Sequence, residues 1–208
     1  MASMAQVRPY RGIDAAQRVA DRRRQLLDAG LELLGAAGKD PADLTVRAIC
    51  GQATLGVRYF YESFTDKDHF VGAVFDSVIA DIAATTEAAV ASAPPDEQAR
   101  AAMANIVRTI SADPRMGRLL FSVELSNTEI VRKRADSTAL FAELLFTHAG
   151  AHGALDNDHV KAASYFAVGG VGQTISAWLS GEVQLDHDQL VDALAALIDA
   201  LAAMPPPT

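Results

Sequence analysis

LTVRAICGQATLGVRYFYESFTDKDHF, residues 44–70, is the stretch that decides the fold. Val46, Ile49, Cys50 and Ala53 fall at i, i+3, i+4 and i+7, one face of a helix. Thr54 to Gly56 interrupt that spacing. A second short segment follows, anchored by Leu55, Phe60 and Phe64, with Arg58, Tyr59 and Tyr61 left for its outer face. Asp66 then stands where an N-cap belongs, and Lys67 opens a further helix. Two short helices joined by a tight turn, the second carrying Arg and Tyr, form the plan of a helix-turn-helix DNA reader. In the major groove an Arg can bond base edges, and a Tyr hydroxyl can reach a phosphate. Thr45 can cap the earlier helix and offer its hydroxyl and the helix N-terminus to a phosphate, and Lys67 can do the same one helix later.

The segment resembles the DNA-binding motif of the TetR family of one-component transcriptional regulators. Thr45, Val46, Ile49, Ala53, Leu55, Phe60, Tyr61, Phe64, Lys67 and Phe70 fall on that family's pattern without gaps, and RYFYESF (58–64) is close to a subset of it. The match covers residues 16–70. Two positions depart from it. Thr54 stands where the family has Gly, which implies backbone strain of about 1 kcal/mol at a turn that wants positive φ. Gly56 stands where the family has Ser or Thr, which removes a capping hydroxyl and its phosphate contact. The resemblance implies DNA contacts from Thr45, Val46, Arg47, Val57, Arg58, Tyr59, Tyr61 and Lys67, with Tyr61 and Lys67 on the backbone.

The formal net charge of −8 over 208 residues argues against a nucleic-acid partner until its distribution is read. Residues 1–70 hold ten Lys and Arg against nine Asp and Glu, whereas residues 71–208 hold eight against seventeen. The first 24 residues alone hold six Arg and two Asp. Local basicity is what phosphate contact needs. Cys50 is the single cysteine, which excludes an intrachain disulfide, and its place on a helix face suits a small buried hydrophobe. No secretory signal opens the chain, and the expected location is the cytoplasm. Residues 162–181 carry no charge, yet Gln173, Thr174, three Ser and four Gly make a buried interface helix the better reading than a membrane span.

Around the motif the pattern is helical throughout. A flexible arm is expected over 1–14. A helix follows over 15–37, with Val19, Leu26, Leu27, Gly30, Leu31 and Leu34 on one stripe and Arg22, Arg23 and Arg24 near its front, either solvated or on phosphate. A long helix runs from Asp66 toward Ala93 and ends at Pro94-Pro95. Asp96 can cap a helix to about Ser111, and Asp113-Pro114 starts another. Further helices are expected over 128–149, 158–180 and from the capping-box spacing Asp186–Gln189 to before Pro205. The fold class is all-α: an N-terminal three-helix helix-turn-helix DNA-binding domain (15–65) and a C-terminal helical ligand-binding and dimerisation domain (66–204), with a disordered tail over 205–208.

Two further constellations sit in the larger part. Gly169, Gly172, Ser176 and Ser180 form a small-residue face that permits close helix approach, and Leu190, Leu194, Leu197 and Leu201 form a stripe on the last helix. Together they resemble the family's four-helix dimer interface, with packing inside the monomer as the alternative. A ligand cavity would draw on Phe75, Met103, Met116, Phe121, Phe141, Phe146, Tyr165, Phe166 and Trp178, with Glu124, Asn127, His148 and Gln173 as polar members. Metal-ligand spacing is missing from the five His, and no glycine-rich phosphate loop, G-x-S-x-G or H-E-x-x-H is present, so neither a metal, a cofactor nor an enzyme is expected. The reading is a homodimeric repressor of the TetR type that binds a pseudo-palindromic double-stranded DNA operator and is released by a small apolar or mixed effector. The alternative is a helical module that binds a small molecule or protein and has lost specific DNA binding.

Overall fold

The computed structural model describes residues 14–36, 44–122, 125, 128–151 and 158–203, with backbone only at 146 and 148–151. Of the expected arm over 1–14 only Asp14, the N-cap position of α1, is described; residues 1–13, the tail over 205–208, and Glu124 and Asn127 lie outside the described residues, as do the side chains of Phe146 and His148. Among the described residues there are nine α-helices and no strand. They are α1 (Ala15–Gly35), α2 (Val46–Gln52), α3 (Val57–Ser63), α4 (Lys67–Ala91), α5 (Gln98–Ala112), α6 (Pro114–Phe121), α7 (Thr128–Ala151), α8 (Asp158–Leu179) and α9 (His187–Ala202). The expected cap at Asp96 instead lies inside a 3-10 turn, Pro95–Glu97, that leads into α5.

Local chemistry sets four of the helix starts. The side chains of Thr45, Asp66, Asp113 and Asp186 accept hydrogen bonds from the backbone N–H groups of Ala48, His69, Arg115 and Gln189. At Asp186 the Gln189 side chain also accepts from the Asp186 N–H, completing a capping box. Backbone hydrogen bonding at His69, joined by the Thr65 hydroxyl, holds the Asp66 carboxyl below its usual range.

Helix α4 organises the molecule. From Phe70 to Phe75 it is buried on every side, and Val78, Ile79 and Ile82 continue the buried face. A helix apolar all round belongs in an interior, and α4 packs against α1, α5, α6 and α7. One apolar cluster runs from Leu26 and Leu34 of α1 through Ile49, Phe60 and Phe64 to α4, Leu119 and Ile130. The helix-turn-helix and the body thus share a continuous core. A second cluster gathers Met103, Val107 and Ile110 of α5 with Ile175 of α8 and Leu190, Val191, Leu194 and Ala195 of α9. Ile106 and Phe121 pack against both clusters. The buried Asn105 donates to the hydroxyls of Thr85 and Thr86 at 3.0 Å and accepts from Arg108 at 2.6 Å, so the polar group between α4 and α5 is satisfied.

Helix α6 holds the body to α1. A Cβ at Gly35 would meet the Arg115 Cβ at 2.5 Å and its Cα at 2.8 Å, so the two helices touch at a point that admits no side chain. The Arg115 guanidinium bonds both Asp113 and Glu32 of α1.

Candidate nucleic-acid interface

Helix α3 is only seven residues long and is held by its surroundings, since so short a helix is not stable alone. Phe60 is fully buried, and its ring lies 5.4 Å from both Phe64 and Phe70, which are themselves 5.0 Å apart in an edge-on pair. This aromatic trio seats the inner face of α3 against the start of α4. The Cys50 thiol is buried nearby in the same cluster, and burial pushes its pKa up, as suits an inert packing residue.

The turn between α2 and α3 matches the strain anticipated at Thr54. Its φ is +55°, the one positive value among described residues other than glycine. Leu55 N–H bonds the Cys50 carbonyl at 2.9 Å, closing the turn. Gly56 is the N-cap of α3 with ordinary extended dihedrals and no side-chain cap. The helix nevertheless begins at Val57, and the Tyr59 N–H bonds the Gly56 carbonyl at 2.9 Å.

Of the residues expected at DNA, Thr45, Arg47, Val57, Arg58 and Tyr61 are exposed, while Val46, Tyr59 and Lys67 are partly covered. The Arg58 side chain is 83% exposed and Tyr61 is 59% exposed. Tyr61 leans edge-on against Phe60 with ring centroids 5.3 Å apart, which aims a large side chain away from the core. The Thr45 hydroxyl is engaged as a cap by Ala48 N–H at 3.1 Å.

The sequence did not reveal how α1 grips α3. The Arg22 guanidinium lies 4.5 Å from the Tyr59 ring centroid, and its Nη2 is 3.6 Å from Glu62 Oε2. Arg23 sits 4.5 Å from the Phe64 ring centroid, and its Nη1 donates to the Ser63 carbonyl at 3.1 Å. These two arginines are clamps on α3, whereas Arg24 points outward and pairs with Asp21 at 3.7 Å. On α3 itself, Arg58 Nε donates to Glu62 Oε1 at 2.8 Å, and that bond raises the Arg58 pKa. The four-residue spacing of Arg58 and Glu62 was visible in the sequence as a helical pair. The contacts from α1 were not.

The body's expected sites are redistributed. Phe75 and Met103 are buried in the two separate core clusters, and Met116, Phe121 and Phe141 are partly buried against the first. Trp178 donates its indole N–H to the Leu185 carbonyl at 2.8 Å, so its polar edge secures the α8–α9 turn. Tyr165 and Gln173 are on the surface of α8 and do not join the interior groups. Two clefts of about 510 and 660 Å³ are lined by other residues, one between α1, the α2–α3 turn and Arg115, the other between α1, α4 and α7.

The small-residue face also divides. Leu190 and Leu194 are consumed by the chain's own core, at 0% and 1% exposure, because α9 packs that side on α5. A Cβ at Gly172 would face Phe121 of the same chain at 3.8 Å, so Gly172 also points inward. Gly169 and Ser180 are exposed, Ser176 and Leu201 are partly covered, and Leu197 is 59% exposed. Phe166, expected among the cavity aromatics, is instead 70% exposed beside Tyr165. No helix among the described residues is long and apolar enough to cross a membrane.

No family model and no curated protein matches the chain in sequence. Solved structures do match its shape. A TetR-family regulator from Syntrophomonas wolfei superposes with a TM-score of 0.72 at 14% identity, covering 89% of this chain and 96% of that one. The fatty acid degradation regulator FadR from Bacillus halodurans gives 0.67 at 18% identity, covering 85% and 94%. FadR from Bacillus subtilis, in complex with stearoyl-CoA, gives 0.65 at 19% identity, covering 86% and 97%. With the short helix α3 locked on an aromatic trio, a central α4 shared by head and body, and a helical body of matching extent, the chain has the fold of the TetR-family transcriptional regulators.

Proposed function

We propose that this protein is a ligand-responsive transcriptional regulator, a repressor, that binds a pseudo-palindromic operator in double-stranded DNA as a homodimer. The observation that carries the reading is the outward presentation of Arg58 and Tyr61 on a helix whose inner face is locked by Phe60. A core side chain would be spent on packing, whereas these two reach into solvent from a rigid base. In this reading residues 15–65 form the reading head, with Thr45, Val46, Arg47, Val57, Tyr59 and Lys67 supporting the contact. Residues 66–204 form the ligand-binding and dimerisation body, and the protein works in the cytoplasm.

The homodimer reading draws on the exposed apolar groups of α8 and α9, Tyr165, Phe166 and Leu197, beside the open backbone of Gly169. A dimer places two recognition helices about one DNA turn apart. For the effector, stearoyl-CoA in the similar Bacillus subtilis protein supports an apolar or mixed small molecule. Phe121, packed against both core clusters, and Phe141 and Met116 are the residues best placed to meet it. Effector binding would act on the head through α4 and the α1–α6 contact, a coupling between two sites through shared rigid elements. The alternative, a helical binding module without DNA recognition, draws on strained Thr54 and the missing hydroxyl at Gly56.

Selection of duplexes from a random library decides between them. An enriched inverted repeat, bound with an affinity that falls steeply with salt as counterions are released, is the expected result. Failure to enrich any sequence overturns the regulator reading.

A further inference from the structure

We propose that Glu62 is a positioning residue that sets base specificity by holding Arg58 in one orientation for guanine, an inference that rests on the DNA-binding reading above. The Glu62 carboxylate is divided between two cations. Its Oε1 accepts from Arg58 Nε at 2.8 Å, and its Oε2 lies 3.6 Å from Arg22 Nη2. Arg22 belongs to α1 and is itself stacked on the Tyr59 ring at 4.5 Å. The carboxylate is therefore tied to a second helix, and it passes that rigidity to Arg58.

A guanidinium on a side chain as exposed as Arg58 would otherwise sample many rotamers, and ordering them costs free energy at binding. Committing Nε to Glu62 leaves the two Nη groups of the guanidinium as the donors for a base edge. Guanine presents O6 and N7 to such a pair in the major groove. The same pre-ordering is what distinguishes a site held by its supporting shell from one left loose.

Helix stability does not account for the arrangement. Arg58 sits in the first turn of α3 and Glu62 in its last, the reverse of what the helix dipole favours. An Arg placed N-terminal to its acidic partner is also the weaker order for an i, i+4 pair. A carboxylate on this surface further repels phosphate, so it lowers affinity for DNA of any sequence. Glu62 opposes both the helix and the phosphate backbone, and beyond the Arg22 contact from α1 what it supplies is the hold on Arg58.

The test uses the full-length protein and a duplex enriched by the wild type from a random library. Each guanine of that duplex is replaced in turn, and competition binding is measured for wild type, Arg58→Ala, Glu62→Gln and Glu62→Ala. The guanine that ceases to matter in Arg58→Ala is the one that Arg58 reads. At that guanine alone, Glu62→Ala is expected to lower the preference about tenfold, and both Glu62 variants are expected to bind unrelated DNA more tightly than wild type. A side-chain NMR signal from Arg58 Nε–H, slowed in exchange without DNA in the wild type and lost in Glu62→Ala, supports the same conclusion. Equal weakening by Glu62→Ala at every position, or an unchanged guanine preference, overturns it in favour of a structural role. Enrichment with no guanine dependent on Arg58 overturns the inference and leaves DNA binding standing. No enrichment by the wild type overturns both.

Discussion

The head and the body treat their large side chains in opposite ways. In the head, Phe60 and Phe64, joined by Phe70 from the start of α4, are all at or below 2% exposure, and Arg58 and Tyr61 face out beside Val57. In the body, Phe166 is 70%, Leu197 59% and Tyr165 44% exposed, while Leu190 and Leu194 vanish into the core. A closed aromatic core with an outward Arg and Tyr presents chemistry to a polar partner. An apolar face left in water calls for an apolar one, because burying it recovers roughly 25 cal/mol for each Å². The difference also shows why the head's role is written locally and the body's is not. A recognition helix is seven consecutive residues, whereas a ligand cavity or an interface is assembled from helices far apart in the chain.

The largest test asks whether head and body are energetically separate. Phe60 belongs to the cluster that runs on into α4, so Phe60→Ala should cost about 3–5 kcal/mol, the usual loss for a buried Phe. The single tryptophan, Trp178, packs against the second cluster and reports on the body. Denaturant unfolding followed by Trp fluorescence and by circular dichroism should give coincident transitions, both shifted by Phe60→Ala. A Trp178 transition that stays put would show two independent cooperative units and break the picture of one core.

Within the head, the contrast between base reading and phosphate contact comes next. Arg58→Ala should cost about 1–3 kcal/mol of operator discrimination in each half-site, since a guanidinium can bond guanine edges. Tyr61→Phe and Lys67→Ala should weaken operator and unrelated DNA by similar factors, because phosphates are the same at every step. Competition binding of the three variants reads the difference. An equal loss on both DNAs for Arg58→Ala would move base reading to another residue of α3.

Within the body, the exposed face of α8 can be tested without disturbing the monomer. No atom lies within 4 Å of where a Cβ at Gly169 would be, so Gly169→Leu has room in the isolated chain. If α8 meets a second copy there, overpacking should weaken the dimer by about 1–3 kcal/mol. Sedimentation velocity across a concentration series measures it. A dimer of unchanged affinity would place the interface elsewhere, and a wild type that remains monomeric at micromolar concentration would remove the homodimer reading.

How much of this was legible in the sequence follows from the range of each interaction. Caps at Thr45, Asp66, Asp113 and Asp186 act over two or three residues, and each is found where the sequence placed it. The strain at Thr54 was readable because a turn imposes its φ locally. The clamp of Arg23 on the Ser63 carbonyl spans forty positions, and no local pattern encodes it. Periodicity identified the Leu190–Leu201 stripe as a face but not its neighbour, and the structure gives Leu190 and Leu194 to α5 and leaves Leu197 in solvent. Val19 shows the same limit, since the stripe of α1 is buried only from Leu26 onward.

The smallest expected effects lie at the two positions where the turn departs from the family pattern. Thr54 holds φ at +55°, and a β-branched residue there costs of order 1 kcal/mol. Thr54→Gly removes that cost but frees the unfolded chain, which returns about half of it, so a net gain of about 0.5 kcal/mol is expected. Gly56 has an extended backbone that any residue adopts, and a Cβ there would find only Tyr59 Cδ2 at 3.9 Å. Gly56→Ser should therefore add a cap worth a few tenths of a kcal/mol. For a chain of this size the double variant should raise the thermal midpoint by roughly 2–4 °C. The two changes separate in their effect on DNA. Thr54→Gly alters only the turn and should leave operator affinity nearly unchanged. Gly56→Ser adds a hydroxyl at the N-terminus of the recognition helix and should tighten binding to every sequence alike. A gain in stability without that uniform gain in affinity would show that the N-terminus of α3 lies away from the phosphates, and that this head sits on DNA at a different tilt from the one its resemblance implies.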